Sequence, residues 1–379
     1  MKILVTGGAG FIGSHLVDAL IREGHQVRVY DNLDSQAHKD DGLPTHFNEK
    51  AEFVKGDVRH KKELQKAIGN SQVIFHLAAV ISLGQSMYRI KEYEEVNLGG
   101  IANLLEILAS TRNRVKKIVF ASSATVYGEG AYFCPREKVP CYPDVRTEEQ
   151  VKGGQWEELC PVCHEVLTPI PTIEEKPLSA KLIYAITKEA GEKMLSSFAQ
   201  AYGVPCTVLR YFNVYGPGQN WHNPHTAVWA SFLGRIKNDL APLIIEDGKQ
   251  TRDFVYVKDV VRATIKAMEM PKNNFEIINI GSGKRVSVLQ VAEKLIELSG
   301  KNLKPEITYI FRKGDVRHCF ADITKAKKLL NWEPQVSFEE GAKKMFEWGI
   351  KQKTKVSSKN FAQELVERGV AVYGKKISN

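Results

Sequence analysis

The first thirteen residues of the chain, MKILVTGGAGFIG (1–13), decide the fold that the sequence predicts. The apolar run at 2–6 is typical of a buried strand, and FIGSHLVDALIREG (11–24) has the apolar periodicity of a helix. Between them, Gly7, Gly10 and Gly13 permit a tight turn, close approach of the backbone to a pyrophosphate, and close packing of helix on strand. The free N–H groups that begin the helix would face the phosphates. The stretch therefore predicts a βα unit that binds a dinucleotide.

A carboxylate at the end of the second predicted strand helps to distinguish NAD from NADP as the bound dinucleotide. Asp31 lies eighteen residues after Gly13, where it can accept hydrogen bonds from an adenosine ribose diol and would repel a 2′-phosphate. This position favours NAD over NADP. Asp57, in VKGDVR (54–59), ends the third predicted strand and is expected near the adenine.

Continuous apolar strands alternate with helical runs through about residue 125. This pattern predicts an α/β protein with a doubly wound parallel sheet, the Rossmann arrangement, and a smaller mixed α/β substrate-binding lobe. The dinucleotide-binding domain is expected at 1–215, with a cysteine-rich insert at about 130–175 and a return segment at about 252–268. The smaller lobe is expected at 216–251 and 269–350. A C-terminal extension follows at 351–379.

The composition of the 379-residue chain, 43% hydrophobic and 26% charged, is ordinary for a globular protein. The formal charge of +9 comes from scattered lysines, so nucleic acid is not an expected partner. No basic and apolar leader opens the sequence, and no apolar run approaches the roughly 18 residues of a membrane helix. We therefore expect a cytoplasmic protein without a membrane partner, in a compartment where thiols stay reduced.

The candidate catalytic residues lie in two short stretches. YAITK (184–188) places Tyr184 and Lys188 on one face of a helix. An ammonium beside a phenol lowers the phenol's pKa, so Tyr184 could act as a general base near neutral pH. Ser122 and Ser123 end the predicted strand in VFASSATVYG (119–128), at the carboxyl edge where ligands of doubly wound folds bind. A serine there can hold the substrate oxygen that the tyrosine deprotonates.

Eight motifs occur in a characteristic order: TGGAGFIG (6–13), DNL (31–33), HLAA (76–79), SSATVYG (122–128), YAITK (184–188), RYFNVYGPG (210–218), RDFVYVKDV (252–260) and ADITKAKKLLNWEP (321–334). With them the chain resembles the extended short-chain dehydrogenase/reductase family, specifically its NAD-dependent nucleotide-sugar epimerases. The resemblance covers roughly residues 1–128 and 177–350.

The resemblance assigns roles residue by residue. The implied catalytic set is Ser123, Tyr184 and Lys188. The implied cofactor-binding residues are Gly7, Gly10, Phe11, Ile12, Gly13, Asp31, Asn32, Asp57, Val58, Leu77, Ala78, Ala79, Asn97, Tyr184, Lys188 and Tyr211. The implied substrate-binding residues are Ser123, Thr125, Asn213, Arg252, Arg312 and Asp315, with the two arginines on the pyrophosphate and the aspartate on the nucleotide ribose. For Arg252 a salt bridge with Asp253 or Asp259 is the alternative.

The implied reaction is 4-epimerisation of a nucleotide sugar: oxidation at C4 by tightly bound NAD and re-reduction on the other face. Thr125 is followed by Val126 and Tyr127, where the family's dehydratases carry an Asp-Glu pair. Asp31 disfavours an NADP-dependent reductase. A non-catalytic NAD-binding sensor or scaffold is an alternative of another class, and the intact catalytic set disfavours it.

The substrate expectation depends on two regions. The run at 218–260 and the cysteine-bearing insert resemble dTDP-L-rhamnose 4-epimerases more than UDP-galactose 4-epimerases. Many relatives carry a lysine two residues after HLAA, where this chain has Ile81. Val80 and Ile81 would give an apolar wall for C6 of a 6-deoxy sugar. We favour dTDP-L-rhamnose, with UDP-glucose or UDP-glucuronate as alternatives.

Family members commonly dimerise through a four-helix bundle that includes the YxxxK helix. Here the runs at 92–110 and 188–202 are the candidates, so a homodimer is expected.

Four of the six cysteines fall within the insert, which the family's reaction does not use. Cys160 and Cys163 form a CPVC knuckle, and Cys134 and Cys141 form a pair with unusually wide spacing. A structural zinc ion bound by these four cysteines is the favoured interpretation, since the insert has little apolar content with which to order itself. Disulfides and free thiols remain alternatives, and His164 could replace one cysteine as a ligand.

Overall fold

The computed structural model describes residues 1–38, 42–44, 47–220, 228–271, 274–352 and 361–376. Residues 221–227, part of the run that carries the substrate expectation, lie outside this description, as do parts of the C-terminal extension.

A seven-stranded parallel sheet forms the centre of the fold. Its strands in chain order are β1 (Lys2–Thr6), β2 (Gln26–Asp31), β3 (Glu52–Lys55), β4 (Val73–His76), β5 (Lys117–Ser123), β9 (Cys206–Tyr211) and β14 (Phe275–Ile280). Across the sheet they run β14-β9-β5-β4-β1-β2-β3. The order reverses at β1 and β4, and ligands of such sheets bind outside the carboxyl ends of the strands at this point. The predicted doubly wound parallel sheet is confirmed.

Helices cover both faces of this sheet, which explains why its strands are continuous apolar runs. On one face, Ile3 and Val5 of β1 join a core with α1 (Phe11–Arg22), α9 (Val257–Glu269) and α11 (Thr324–Leu330). On the other, Leu4 of β1 joins a core with α2 (Lys61–Ile68), α5 (Gly100–Ser110) and α7 (Ile183–Tyr202). Alternate residues of one strand therefore stabilise two separate layers.

The smaller lobe packs around Tyr215, Trp229 and Phe254. Its helices are α8 (Val228–Lys237), α10 (Val288–Ser299) and α12 (Phe338–Gly349). Its short strands are β10 (Asn213–Tyr215), β11 (Leu243–Ile244), β12 (Thr251–Arg252), β13 (Phe254–Tyr256), β15 (Val286–Ser287), β16 (Glu306–Ile307), β17 (Ile310–Arg312) and β18 (His318–Cys319). They form small sheets in which β10 pairs with β13, β11 with β16, and β12 with both β15 and β18.

One strand departs from the expected boundaries. Residues 275–280 were expected in the smaller lobe, yet β14 is the edge strand of the main sheet and pairs in parallel with β9 along its whole length. The reason is the free edge of β9, with which β14 pairs, and the second half of its sequence, FEIINI, is buried there. The chain therefore returns to the main sheet three times, through α9, β14 and α11.

The insert forms a small antiparallel sheet of its own, in the order β7-β6-β8. Its elements are β6 (Ala131–Cys134), β7 (Val139–Cys141), α6 (Glu148–Lys152) and β8 (Thr168–Ile170). The C-terminal extension contributes α13 (Phe361–Glu367) and β19 (Ala371–Tyr373), and β19 pairs antiparallel with β17. Trp156 of the insert donates a hydrogen bond to the carbonyl of Lys375, 3.2 Å away. The insert and the extension thus flank the same strand of the smaller lobe.

The remaining helical elements lie beside the carboxyl edge of the main sheet. They are α3 (Leu83–Ser86), α4 (Ile90–Tyr93), a π-helical turn at Glu94–Gly99 and a 3₁₀ turn at Ala124–Tyr127. Among the helices formed by the described residues, none is long and apolar enough to cross a membrane.

Candidate active site

One cleft of about 1400 Å³ lies along the carboxyl edge of the main sheet and extends into the smaller lobe. It brings together residues that the sequence places far apart. The expected site residues that line it are Gly7, Gly10, Phe11, Ile12, Gly13, Asp31, Asn32, Asp57, Val58, Leu77, Ala78, Ala79, Ser123, Thr125, Tyr184, Lys188, Tyr211, Asn213, Arg252, Arg312 and Asp315.

The glycine loop is packed so closely that side chains are excluded. Gly7 has φ +70°, and a Cβ added there would lie 2.7 Å from the backbone nitrogen of Ala78. A Cβ on Gly13 would collide with the carbonyl oxygen of Gly7. Gly10 is the residue that precedes α1, and its carbonyl accepts the first helical hydrogen bond, from Ser14 at 2.8 Å. The loop therefore presents bare backbone to the cleft at the start of a helix, as a pyrophosphate site requires.

Asp31 fixes this loop to the end of β2. Its carboxylate accepts hydrogen bonds from the backbone N–H groups of Ala9, at 3.0 Å, and Leu33, at 2.9 Å. His38 approaches the same carboxylate to 3.7 Å. A carboxylate has about four lone-pair sites, so acceptor capacity remains for a ribose diol.

Asp57 belongs to a charged cluster at the end of β3. The Arg59 side chain donates two hydrogen bonds to it, at 2.9 and 2.8 Å, and the Arg59 backbone N–H donates a third at 2.9 Å. Asn32 donates a fourth at 2.9 Å. Burial raises the pKa of this carboxyl, but the bonds from Arg59 and Asn32 outweigh it and hold the pKa at about 2. Asp57 is therefore ionised at neutral pH, with acceptor oxygens beside the cleft.

The candidate catalytic residues meet at the end of β5. Ser123, the last residue of that strand, lines the cleft together with Tyr184 and accepts a hydrogen bond from the hydroxyl of Thr125 at 3.0 Å. Lys188, one turn further along α7, donates to the carbonyl of Ala121 at 2.8 Å, and its Nζ lies 5.9 Å from the centre of the Tyr184 ring.

The neighbouring serine is committed elsewhere. Ser122 donates a hydrogen bond to Glu192 at 2.5 Å, and Glu192 forms a buried ion pair with Arg210. Successive residues of a strand point to opposite faces, so only one of the two serines can turn toward Tyr184. This geometry favours Ser123, the serine that the family resemblance implies.

The protonation states differ from the expectation. Burial raises the pKa of Tyr184 to about 12, and only the bond with Ser123 opposes that rise. Burial also lowers the pKa of Lys188 to about 7, partly opposed by the charge of Glu192. The expected lowering of the phenol's pKa by the ammonium is therefore wrong for the protein alone, because burial disfavours the charged form of both groups.

Two arginines of the smaller lobe converge on one carboxylate. Asp315 accepts from Arg252 at 3.2 Å and from Arg312 at 2.8 Å. The alternative partners that the sequence offered Arg252 are engaged elsewhere: Asp253 bonds backbone N–H groups, and Asp259 pairs with Arg262. Within the described part of the chain, the Nε atom of Arg312 is buried without a hydrogen-bond partner. The arrangement leaves guanidinium donors for an anion in the cleft.

Asn97 is the expected site residue that does not line the cleft. It is buried, and its side-chain amide bonds both the N–H and the carbonyl of Val80, at 2.8 and 3.1 Å, as well as the hydroxyl of Thr187. It links the loop after β4 to α7, next to the cofactor end of the cleft. Its contact to a cofactor remains a prediction.

Arg59 and His38 are among the residues that line this end of the cleft and that sequence reasoning missed. Arg59 had a local signal, because it follows Asp57 by two residues in VKGDVR. His38 had none, since the turn after β2 alone brings it back to Asp31.

Comparison with known proteins identifies the family to which this fold belongs. A family model described as the NAD dependent epimerase/dehydratase family matches residues 3–148 and 161–281. The chain belongs to this family. The expected membership in the extended short-chain dehydrogenases/reductases, as an NAD-dependent nucleotide-sugar epimerase, is confirmed.

Individual members of the epimerase family are similar over most of the chain. A dTDP-L-rhamnose 4-epimerase of Burkholderia thailandensis is 33% identical over 92% of this chain and 94% of its own. The crystal structure of UDP-glucose 4-epimerase from Thermotoga maritima, with UDP-glucose, is 35% identical, with a TM-score of 0.76 over 92% of this chain and 98% of that one. UDP-glucuronic acid 4-epimerase from Bacillus cereus, in complex with UDP-glucuronic acid and NAD, is 28% identical, with a TM-score of 0.71 over 92% and 99%.

The cysteines of the epimerase's insert lie outside the cleft. The sulfur atoms of Cys134, Cys160 and Cys163 are all within 4.8 Å of one another, and the Cys141 side chain contacts Cys160. No disulfide joins the six cysteines in this structure, and the sulfurs of Cys134 and Cys163 lie 3.4 Å apart. His164 follows the knuckle, with φ +59°.

Proposed function

We propose that this enzyme is a nucleotide-sugar 4-epimerase with tightly bound NAD and that its substrate is a dTDP-6-deoxyhexose, dTDP-L-rhamnose. One observation carries the proposal. Ser123, Tyr184 and Lys188 lie in the same cleft as the glycine loop and the paired arginines. A sugar attached to a pyrophosphate on the arginines can therefore reach both the tyrosine and the cofactor end.

The residues at the cofactor end fit NAD. Side chains at Gly7 and Gly13 would collide with neighbouring backbone atoms, so the loop presents only its backbone to the pyrophosphate. Asp31 offers acceptor oxygens at a position where its charge would repel a 2′-phosphate. NAD⁺, when bound, supplies the hydride acceptor and donor of the reaction and adds positive charge to the site.

The chain's own residues handle the proton. Ser123 is placed to hold the sugar hydroxyl, and Tyr184, in contact with it, is placed to take the proton from that oxygen and return it. At a pKa of about 12 the phenol stays protonated, so proton removal needs additional positive charge near the ring. Lys188 contributes when it is protonated, and its Nζ is held in place by the carbonyl of Ala121.

The residues that follow Thr125 support epimerisation over dehydration. Val126 and Tyr127 are fully buried, and the Tyr127 hydroxyl donates to Asn279 at 2.7 Å. Neither offers a carboxyl group to the cleft as an acid or base for the loss of water. Transfer of hydrogen at one carbon is the chemistry that the remaining groups support.

One observation supports the 6-deoxy sugar. Val80 and Ile81 line the cleft, and Ile81 is 53% exposed although it is a large apolar residue. An apolar surface of this kind suits a methyl group better than a hydroxymethyl or carboxylate group. Relatives with the alternative substrates are equally similar to this chain, so the choice depends on this surface.

The test is turnover of purified protein without added NAD. We expect dTDP-L-rhamnose to give a 4-epimer by NMR, whereas UDP-glucose and UDP-glucuronate should react more slowly or not at all. Preferred turnover of either UDP-sugar would replace the substrate proposal. Absence of an epimer from all three would contradict the 4-epimerase proposal.

We also propose that the enzyme is a homodimer. Helices α5 and α7 pack side by side on one face of the sheet, and Ile186 of α7 is 45% exposed. Sedimentation velocity should give the mass of two chains, and a single-chain mass at micromolar concentration would contradict the proposal.

A further inference from the structure

The cysteine cluster has the dimensions of a metal site. In a tetrahedral site with Zn–S bonds of about 2.3 Å, the sulfurs lie about 3.8 Å apart. Here the sulfurs of Cys134 and Cys163 are 3.4 Å apart, and three of the four sulfurs lie within 4.8 Å of one another. The ligands come from two separate turns of the insert, the β6–β7 hairpin and the CPVC knuckle.

A backbone N–H group points at one of these sulfurs. The N–H of Glu137 donates a hydrogen bond to the sulfur of Cys134 at 3.4 Å. A donor aimed at sulfur stabilises the thiolate, which is the form that binds a metal. This contact is a second observation, independent of the sulfur distances.

The antiparallel sheet of the insert has a very small core. Its core consists of Tyr132 and Leu167 together with the cysteines. Strands β6, β7 and β8 are four, three and three residues long. A sheet this small with two large apolar residues buries too little surface to be stable by itself. Small units of this kind are commonly stabilised by a bound metal ion.

A buried charge network connects this core to the smaller lobe. Tyr132 donates to Glu129 at 2.8 Å, and the Glu129 carboxylate accepts the backbone N–H groups of Arg317 and His318 at 2.6 and 2.9 Å. Glu157 of the insert pairs with the side chains of the same two residues, at 2.5 and 2.9 Å.

A second connection passes through Arg146. Its guanidinium bonds Glu246 at 2.8 Å and the carbonyl of Asp315 at 3.3 Å, and its side chain is fully buried. Asp315 is the carboxylate that holds Arg252 and Arg312. Insert residues therefore hold the segment from Arg312 to His318, which we call the nucleotide arm, by both its backbone and its side chains.

We propose that the insert binds one structural zinc ion through Cys134, Cys141, Cys160 and Cys163, and that the folded, zinc-bound insert positions the nucleotide arm. The inference rests on the proposed role of Arg252, Arg312 and Asp315 in holding the nucleotide. Glu129 and Arg146 are positioning residues in this scheme. Zinc acts on nucleotide affinity and not on the proton transfer, because the cluster lies outside the cleft.

The first test is the metal content of the full chain, purified without a metal-affinity resin, by plasma mass spectrometry. We expect about one zinc per chain. A chain with little zinc, or with iron in its place, overturns the metal assignment.

The second test uses Cys163→Ser with Cys206→Ser as a matched control, since Cys206 is buried in β9, away from the cluster. We expect Cys163→Ser to lose zinc and to bind dTDP and UDP at least about tenfold more weakly by calorimetry, while it keeps its bound NAD. Cys206→Ser should match the wild type. Loss of zinc with unchanged nucleotide affinity overturns the coupling.

If Cys163→Ser does not fold, Glu129→Gln tests the positioning of the nucleotide arm instead. It leaves all four cysteines in place but weakens the anchor of Arg317 and His318. We expect zinc and kcat to be retained while KM rises, and an unchanged KM overturns the positioning role. A wild-type chain that holds zinc and NAD but binds neither dTDP nor UDP overturns the proposed function instead, and leaves the metal assignment standing.

Discussion

The two ends of the cleft are held in place by different means. At the cofactor end the hydrogen bonds that hold the glycine loop join residues close in the chain: three glycines share one loop, and Asp31 bonds Ala9 and Leu33. At the nucleotide end the contacts join distant parts of the chain. Arg252 and Asp315 are 63 positions apart, Arg146 and Glu246 are 100, and Arg317 and Glu157 are 160.

Contacts within one loop can be encoded by a short motif, whereas contacts between distant segments cannot. A glycine loop works because side chains are absent, so its effect depends on few residues. A buried ion pair is favourable only when both charges are fixed by their surroundings. The arginines of the nucleotide end therefore depend on distant segments that no local sequence pattern predicts. Tyr184, the candidate general base, lines the same cleft as both ends.

The largest expected effect is at this tyrosine. Tyr184→Phe removes the group that exchanges the proton, so we expect kcat to fall by at least about 10³-fold while the bound NAD stays. Turnover is followed by NMR, and NAD by absorbance after its release. Tyr202→Phe is the matched control, since Tyr202 lies on the same helix and is 57% exposed. Substantial activity in Tyr184→Phe would remove the tyrosine from its role.

The next effect tests the cofactor end. Gly7→Ala places a Cβ 2.7 Å from the Ala78 backbone, so we expect loss of bound NAD and a lower free energy of unfolding in urea. Gly24→Ala is the control: Gly24 also has a positive φ, +82°, but a Cβ there meets no described atom within 4 Å. The crowding should cost about 2 kcal/mol more at Gly7 than at Gly24. Equal losses would show that φ alone matters.

The nucleotide end should respond in KM. Arg252→Gln leaves Asp315 one arginine short and removes a charged donor, so we expect KM to rise about 10- to 100-fold with little change in kcat. Arg285→Gln is the control, because Arg285 is exposed and does not line the cleft. A drop in kcat with unchanged KM would place Arg252 at the reacting sugar carbon instead of the pyrophosphate.

The smallest effect concerns His76 at the end of β4. Burial, and then the charge of Lys188, lowers its pKa from 6.5 to about 3. The unfolded chain therefore takes up this proton first, and the stability that the neutral histidine provides is fully present above pH 6.5 and is lost as pH falls below it. Between pH 6.5 and 5.5 the wild type should lose about 1 kcal/mol more than His76→Gln. Parallel pH profiles of the two in urea unfolding would contradict this assignment.

Several particular elements were predictable from the sequence. The glycine loop, the strand that ends at Asp31, and the pairing of Ser123 with Tyr184 all follow from patterns a few residues long, and the structure places them in one cleft. The choice between Ser122 and Ser123 came only from the resemblance, and the bond from Ser122 to Glu192 now gives it a physical basis.

Other elements were beyond sequence reasoning. β14 has an ordinary apolar pattern that does not say which sheet it joins, because strand pairing is decided by the free edge of β9. The partner of Arg252 was also missed, since two acidic residues near it in sequence were plausible and the actual one, Asp315, is distant. The pKa of Tyr184 was misjudged because burial, which opposes the lysine, depends on the whole surrounding fold.

The sequence by itself determined the α/β class, the dinucleotide loop, the catalytic residue types and the family, because each depends on the absence or spacing of side chains within one or two elements. The tertiary structure alone decided how the insert meets the nucleotide arm and which protons the buried groups keep. Those properties depend on burial and on charges brought together from segments over a hundred residues apart, and a linear pattern carries neither.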